Sequence, residues 1–390
     1  MIDRALVLAA GEGTRLRPLT QHRPKPMLPA GTKPILERAF DSLIDGGIAD
    51  LHVVVGYEAD RVKSYFGPTY RGVPITYHTQ RSQLGSGDAV LAGTSAIESD
   101  TLVVNGDQLF DGRLVEAVID AHDPTESIAT LGLVESEYAP SYGAVTIDGD
   151  RITELIEKPA DDHYRLLNAG VYAIAPEVVA ALEETERSDG ELALTTTLAA
   201  LVDSDRLVRG VTVESHWKDA TYPWDLLVLA RAVLDSNDEL ITIEEGATVH
   251  ESAVLRGPVA IGSDAVIGPN TTVGPYTAIG RNCTIASNVT IEHSLIDADC
   301  RIGSGSTLIE LLTGTGVSIG PGTVVSGGPS DVPIGDVYHR GIDLGAVLAD
   351  RTQIGGGVTV TPGTLVGPNV SVDSGTTIAG VYEEDAIVDR

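Results

Sequence analysis

The chain has 390 residues, 42% of them hydrophobic; this is more than one ordinary core needs and far from a disordered composition, so two globular domains are expected. Acidic residues outnumber basic ones 56 to 26, and the net charge of −30 excludes nucleic acid and anionic membrane as general partners and resembles salt-adapted proteins. Two cysteines, Cys283 and Cys300, exclude a disulfide framework and read as small core residues of a cytoplasmic protein.

From the start of the chain, short apolar runs alternate with amphipathic stretches. The run Ala5 to Ala10 is too short for a signal core, and no segment approaches the length that spans a bilayer. The pattern predicts strands at Ala5 to Ala9, Leu51 to Val55, Ile75 to His78 and Thr101 to Val104, with helices near Pro34 to Ile44, Ser86 to Ile97 and Arg113 to His122. Further strands fall at Ser127 to Val134, Ile152 to Ile156 and Gly170 to Ile174. The expected fold is α/β, a mostly parallel, Rossmann-like sheet with an antiparallel extension over residues 1–236.

Beyond residue 245 a six-residue step replaces the helical period. Val249, Leu255, Ile261, Ile267, Val273, Ile279, Ile285 and Ile291 form one series, and small or β-branched residues such as Ala253, Val259, Ala265, Thr271, Thr277 and Cys283 follow four positions later. Each hexapeptide reads as a short strand and a turn, with the aliphatic inward and a frequent following glycine relieving backbone strain. The series shifts at Ile296, breaks over Ser326 to Ala346 and resumes at Leu348. Residues 237–390 therefore read as a left-handed parallel β-helix with an extruded loop at about 326–346, a prism of the kind that assembles as a homotrimer.

Gly11 and Gly13 stand directly after the first strand, where backbone N–H groups can approach phosphate. Leu16 occupies the place of the third glycine of GxGxxG, and no GK[ST] follows, so neither the dinucleotide fingerprint nor the P-loop fits. Lys25, one of only five lysines, is flanked by Pro24 and Pro26 and is expected on an extended strap with no helix. Asp107 in “VVNGDQ” follows a buried strand, where a hard carboxylate suits Mg²⁺. In “QRSQLGSGDA”, Gln80 and Gln83 can each offer a donor and an acceptor to a pyrimidine edge.

“LAAGEGTRLRPLT” followed by “KPMLP” resembles the signature of the sugar-1-phosphate nucleotidylyltransferases, which join a nucleoside triphosphate to a sugar 1-phosphate and release pyrophosphate. The order of domains is similar to bifunctional archaeal and bacterial enzymes that also acetylate glucosamine 1-phosphate. The resemblance implies that Ala10, Gly11, Gly13 and Thr14 lie on the triphosphate, with Arg15 and Lys25 neutralising its charge. Arg17 and Arg23 receive no role and are expected at the surface. It implies Asp219 in “HWKDATYPWDLL” as a second Mg²⁺ ligand beside Asp107, and it favours Gln80, with Gly85 and Ser86, at the base. For the sugar phosphate it implies Asn105, Gly143, Glu157, Lys158 and Asn168.

The expected reaction is in-line attack of a sugar-phosphate oxygen on the α-phosphorus, which needs charge neutralisation and orientation but no side-chain base. UTP or dTTP with glucose 1-phosphate is the expected pair. A glycosyltransferase of similar fold is disfavoured because “NGD” carries one Asp where such proteins often show Asp-x-Asp. A non-catalytic assembly subunit is disfavoured because Arg15, Lys25, Asp107 and Asp219 are all present. The prism is read as structural: the loop after its first coils lacks the expected histidine, and acetyl-CoA enters only if acetyl transfer occurs there.

Overall fold

The computed structural model describes residues 2–390 apart from 137, 138, 140, 141, 158, 160–162, 205 and 216. The chain divides into two compact units: Met1–Glu12, Pro24–Met27 and Ile35–Lys218 form the first, and Gly13–Arg23, Leu28–Pro34 and Asp219–Arg390 the second.

The first unit is built on β1 (Arg4–Ala9), α1 (Ile35–Asp45), β2 (Asp50–Val55), α2 (Ala59–Phe66), β3 (Val73–Thr79), α3 (Ser86–Ala92), β4 (Thr101–Asn105), α4 (Gly112–Ala121), β5 (Ala129–Glu135), β6 (Gly143–Asp148), β7 (Arg151–Glu157), β8 (Leu166–Ile174), α5 (Glu177–Glu184), α6 (Leu194–Asp203) and β9 (Val208–Thr212). They make a ten-stranded sheet in the order β6-β7-β9-β5-β8-β4-β1-β2-β3, closed by the short edge strand Thr69–Tyr70. β4, β1, β2 and β3 are mutually parallel, and β8 pairs antiparallel with both β4 and β5. Strands covered on both faces read as continuous apolar runs. β1 shows this, with Ala5, Leu6, Val7, Leu8 and Ala9 all buried. Its alternate residues feed two separate cores, Val7 with Leu36, Phe40 and Leu43 of α1, and Leu6 with Val90 of α3 and Leu182 of α5. The predicted helix over Ser86 to Ile97 is an α-helix only to Ala92; Gly93 ends it and a 3₁₀ turn, Thr94–Ala96, follows.

The second unit is a parallel β-helix of three sheets with eight, eight and seven strands. Ile241 faces Val259 and Val259 faces Thr277, a step of three hexapeptides per coil. Ala278 then faces Leu295, one residue short of that step, which is why the aliphatic series shifts at Ile296. The inward side chains of Ile261, Ile267, Val273, Ile279, Ile285 and Ile291 are each 1% exposed or less. Cys283 and Cys300 are buried free thiols in this core.

At Gly274, with φ +108°, the glycine after the inward aliphatic relieves backbone strain as expected, but Gly262 and Gly268 do a different job. A Cβ at Gly262 would lie 2.7 Å from Arg281 N, and one at Gly268 would lie 2.8 Å from Ala286 C, so these positions are small because the next coil passes over them. The left-handed conformation falls two residues later, at Asp264, Asn270, Asn282 and Asn288, with φ of 53° to 57°. Short polar side chains tolerate that region. The break over Ser326 to Ala346 is an antiparallel hairpin of Pro329–Ile334 and Val337–Asp343. No helix among the described residues is long and apolar enough to cross a membrane.

Candidate active site

In the first unit the candidate residues collect at the carboxyl ends of the four parallel strands, where open α/β sheets bind ligands. Ala10 and Gly11 follow β1, Gln80 follows β3, and Asn105 and Asp107 end and follow β4. The connections are held against one another by backbone bonds: Gln80 N–H donates to Val55 O at 2.9 Å, and Gly106 N–H to Leu8 O at 2.9 Å. Gly106 has no room for a side chain, since its Cβ would lie 2.8 Å from Val7 Cγ1. That close approach seats Asp107 over the end of β1.

Lys25 Nζ lies 2.9 Å from Asp107 Oδ2, with the lysine side chain 11% exposed and the carboxylate 35% exposed. The segment around Lys25 differs from expectation. Lys25–Met27 is a 3₁₀ turn and not an extended strap, because Met27 N–H reaches Pro24 O at 2.9 Å and Met27 enters the core. Pro26 supplies no donor at a place where the turn needs none.

Gln80 is buried, and its Nε2 donates to Gly85 O and to Asp88 Oδ2, each at 3.2 Å. Both partners are acceptors, which fixes the amide with Oε1 pointing the other way. Gln83, its competitor on chemistry alone, is exposed. Gly85 has φ +99° and packs against Leu192, and Ser86 Oγ accepts from Leu194 N–H at 3.0 Å.

Three strands bring the sugar-phosphate candidates together. Gly143 on β6 faces Glu157 on β7, and a methyl on Gly143 would lie 3.4 Å from both Glu157 Oε1 and Asn168 Cβ. Asn168, on β8, donates from Nδ2 to Tyr172 Oη at 2.8 Å and accepts Gly170 N–H at 3.2 Å. Burial pushes the Tyr172 hydroxyl well above its ordinary range, so it stays protonated beside Asn168. Asn105 donates to Gln108 Oε1 at 3.3 Å, and this amide pair presses on Gly170. Lys158 lies outside the described residues. Asp88, Tyr172 and Gly106 support the site without carrying a motif that singles them out.

In the second unit, Gly13 is left-handed, with φ 71°, and caps a 3₁₀ turn at Thr14–Leu16 on which Thr14 and Arg15 are exposed. Arg17 is exposed as expected, but Arg23 is 5% exposed and paired with carboxylates, which corrects its expected surface position. Asp219 ends a two-residue strand. Beyond it, Asp225 Oδ2 accepts the N–H groups of Thr221 and Tyr222 at 2.8 and 2.7 Å. Tyr222 stacks on Trp224 at 4.9 Å, and His339 of the extruded hairpin packs on Tyr222 at 4.3 Å.

Residues 4–236 match the nucleotidyl transferase family profile. The chain belongs to this family. As a nucleotidyl transferase it is an enzyme, and residues 255–382 match the GMPPB C-terminal domain. It is 36% identical over an alignment of 408 positions to the bifunctional protein GlmU of Methanococcus maripaludis strain C7, covering 98% of this chain and 96% of that one. It is 37% identical over 225 residues to the UTP–glucose-1-phosphate uridylyltransferase AglF of Haloferax volcanii, covering 57% of this chain and 93% of that one. The low-salt glycan biosynthesis nucleotidyltransferase Agl11 of the same organism is 33% identical over 239 residues, covering 60% and 66%. The chain is thus a sugar-1-phosphate nucleotidylyltransferase by family.

Proposed function

We propose that this enzyme joins UTP or dTTP to a hexose 1-phosphate, glucose 1-phosphate first, and releases pyrophosphate. The observation that carries the reading is the Lys25–Asp107 pair, a buried-stem ammonium and a part-exposed carboxylate 2.9 Å apart at the carboxyl end of the parallel strands. Lys25 then neutralises phosphate charge beside the α-phosphorus. Arg15, Thr14, Gly13 and the Gly11 backbone serve the triphosphate.

Gln80 Oε1 accepts the ring N–H of uracil or thymine, an interaction that cytosine and adenine cannot return because their ring nitrogen at that edge is an acceptor. Glu157 accepts from sugar hydroxyls, Asn168 orients them, and Lys158 pairs with the 1-phosphate. The nucleophile is already an anion, so these residues bind, orient and neutralise, and none removes a proton.

The donor set fits Mg²⁺, which takes one or two carboxylates and completes its shell with phosphate and water. Asp107 is part exposed and has one oxygen engaged by Lys25; among the described residues no three His, Cys, Asp or Glu side chains form a metal cage. Asp107 and Asp219 would hold the ion, which when bound supplies charge stabilisation for the transferring phosphoryl group. Supporting the substrate choice, AglF is named for UTP and glucose 1-phosphate.

The near full-length similarity to GlmU raises a second reading, acetyl transfer from acetyl-CoA on the prism. Against it, His339 is packed on Tyr222 and Trp224, His293 stacks on Tyr276, and His250 bonds Ser252. Exposed Val254, Val266 and Val324 on the prism faces support assembly as a homotrimer, which light scattering tests. Two unpaired buried thiols fit a cytoplasmic enzyme. The deciding experiment is a pyrophosphate-release panel of four nucleoside triphosphates against several sugar 1-phosphates, with a thiol-release assay for acetyl-CoA and glucosamine 1-phosphate. Turnover confined to UTP or dTTP is expected; turnover confined to ATP or CTP would overturn the Gln80 assignment.

A further inference from the structure

The segment Gly13–Arg23 ends on a buried cation. Arg23 Nη1 donates to Asp297 Oδ2 at 2.5 Å and to Thr315 Oγ1 at 3.4 Å. Its Nη2 lies 3.3 Å from Asp350 Oδ1, an ion-pair distance without hydrogen-bond geometry, and Nε has no hydrogen-bond partner among the described residues. Next to it, His22 Nε2 meets Glu384 Oε1 at 2.6 Å. Burial opposes the Arg23 charge, but Asp350 and Asp297 outweigh it and raise the guanidinium above its ordinary range.

These partners form a row. Asp297 follows the strand Leu295–Ile296, Thr315 follows Leu311–Thr313, Asp350 follows Ala346–Leu348, and Glu384 follows Val381–Tyr382, all strands of one sheet of the β-helix. They therefore lie along one corner of the prism, on successive coils with one coil skipped. At its other end the segment is folded on itself: the Thr20 hydroxyl donates to Gly13 O at 2.8 Å, and Leu16 N–H reaches the same carbonyl at 2.9 Å. Leu16, Leu19 and Thr20 are buried, so Gly13 to Arg23 is packed as one folded segment.

A buried ion pair with unfilled hydrogen bonds adds little net stability over apolar packing. What it does supply is a fixed place, because a guanidinium fork meets two carboxylates in few geometries. We propose that Arg23 is a positioning residue for nucleotidyl transfer: its pairing with Asp297 and Asp350 anchors the segment that presents Thr14 and Arg15 to the triphosphate. The corner row of the prism is then part of the transfer apparatus. The inference rests on the reading of Arg15 as a phosphate ligand.

The test uses the full chain with UTP and glucose 1-phosphate. Arg23→Met should lower kcat/KM for the triphosphate about a hundredfold, the scale of a small misplacement of binding groups, while KM for the sugar phosphate stays unchanged. Because that variant strands one buried and one part-buried carboxylate, the second variant combines Arg23→Met with Asp297→Asn and Asp350→Asn. Its thermal stability should recover towards wild type while the triphosphate defect persists. A triple variant with wild-type KM for the triphosphate would reduce Arg23 to a counter-ion and overturn the proposal. Arg15→Ala is measured alongside: a raised KM for the triphosphate supports the reading beneath, whereas no change removes the phosphate assignment and the anchor's purpose with it.

Discussion

Gln80 Nε2 and Asp88 Oδ2 are hydrogen-bonded at 3.2 Å, and with the bond to Gly85 O this contact sets which face of the glutamine amide is left for a ligand. Asp88 is itself fixed by Arg187, 2.8 Å from its other oxygen. Asp88→Ala leaves only Gly85 O to hold Nε2, so the amide is less firmly oriented and discrimination between bases with a ring donor and a ring acceptor should fall. The expected outcome is a loss of about tenfold in UTP-over-CTP preference, the scale of one hydrogen bond to a neutral group, with KM for the sugar phosphate unchanged. Competition assays of the two nucleotides measure it; an intact preference would exclude Asp88 from base selection.

Lys25 and Asp107 are paired at 2.9 Å, and the proposed mechanism gives each a separate task in the reaction. Asp107→Asn keeps shape and removes charge, and it should reduce kcat by about 10² to 10³, as loss of one charge-stabilising group does. Lys25→Met should cost a similar factor. If each residue is needed only to hold the other, the double variant will be no worse than either single one; separate roles predict a further loss. Steady-state kinetics of the four proteins distinguish these outcomes.

Gly143 stands where Glu157 and Asn168 converge. A methyl there meets its neighbours at 3.4 Å, ordinary contact, so Gly143→Ala should fold with wild-type stability. The same methyl occupies space assigned to the sugar. KM for the sugar phosphate should rise about tenfold, the cost of one misplaced methylene-sized group, with KM for the triphosphate unchanged. A rise in both constants would argue against a separate sugar subsite.

Much of this arrangement could be read along the chain because it is local. The six-residue period writes the prism directly, and Gln80, Asn105 and Asp107 are legible as residues next to apolar strands. Partners distant in sequence were not legible. Arg23 meets Asp297 across 274 positions, and nothing in “QHRPKP” announces a buried cation. The helices α2, α5 and α6 are not among the elements the apolar pattern predicts, and their packing partners carry more of the helix stability than their own pattern does.

His52 Nδ1 and His78 Nε2 are 2.8 Å apart on β2 and β3, and Asp50 and Arg4 continue the chain of contacts from His52. Burial first, and His52 second, hold the His78 pKa below its ordinary value. The folded protein then refuses a proton that the unfolded chain accepts near pH 6.5. This contribution is fully present above that pH and is lost as pH falls below it, towards the lowered folded value. His78→Gln should flatten the loss of stability between pH 7 and 5; denaturation series at several pH values check it, and an unchanged slope would place the acid sensitivity elsewhere.

The β-helix offers a contrast between two neighbouring positions. Gly268 has no left-handed backbone, but a Cβ there would lie 2.8 Å from Ala286 C and 2.9 Å from Ala286 O of the next coil. Asn270 does have one, with φ 55°. Gly268→Ala should therefore destabilise the second unit by about 1–3 kcal/mol, as overpacking does, although alanine suits its dihedrals. Asn270→Gly should change stability by less than about 1 kcal/mol, since relief at positive φ is offset by the greater freedom of the unfolded chain. Chemical denaturation of the full chain separates the two. The reverse ranking would mean that backbone strain, and not the passage of the next coil, dictates glycine at position 268.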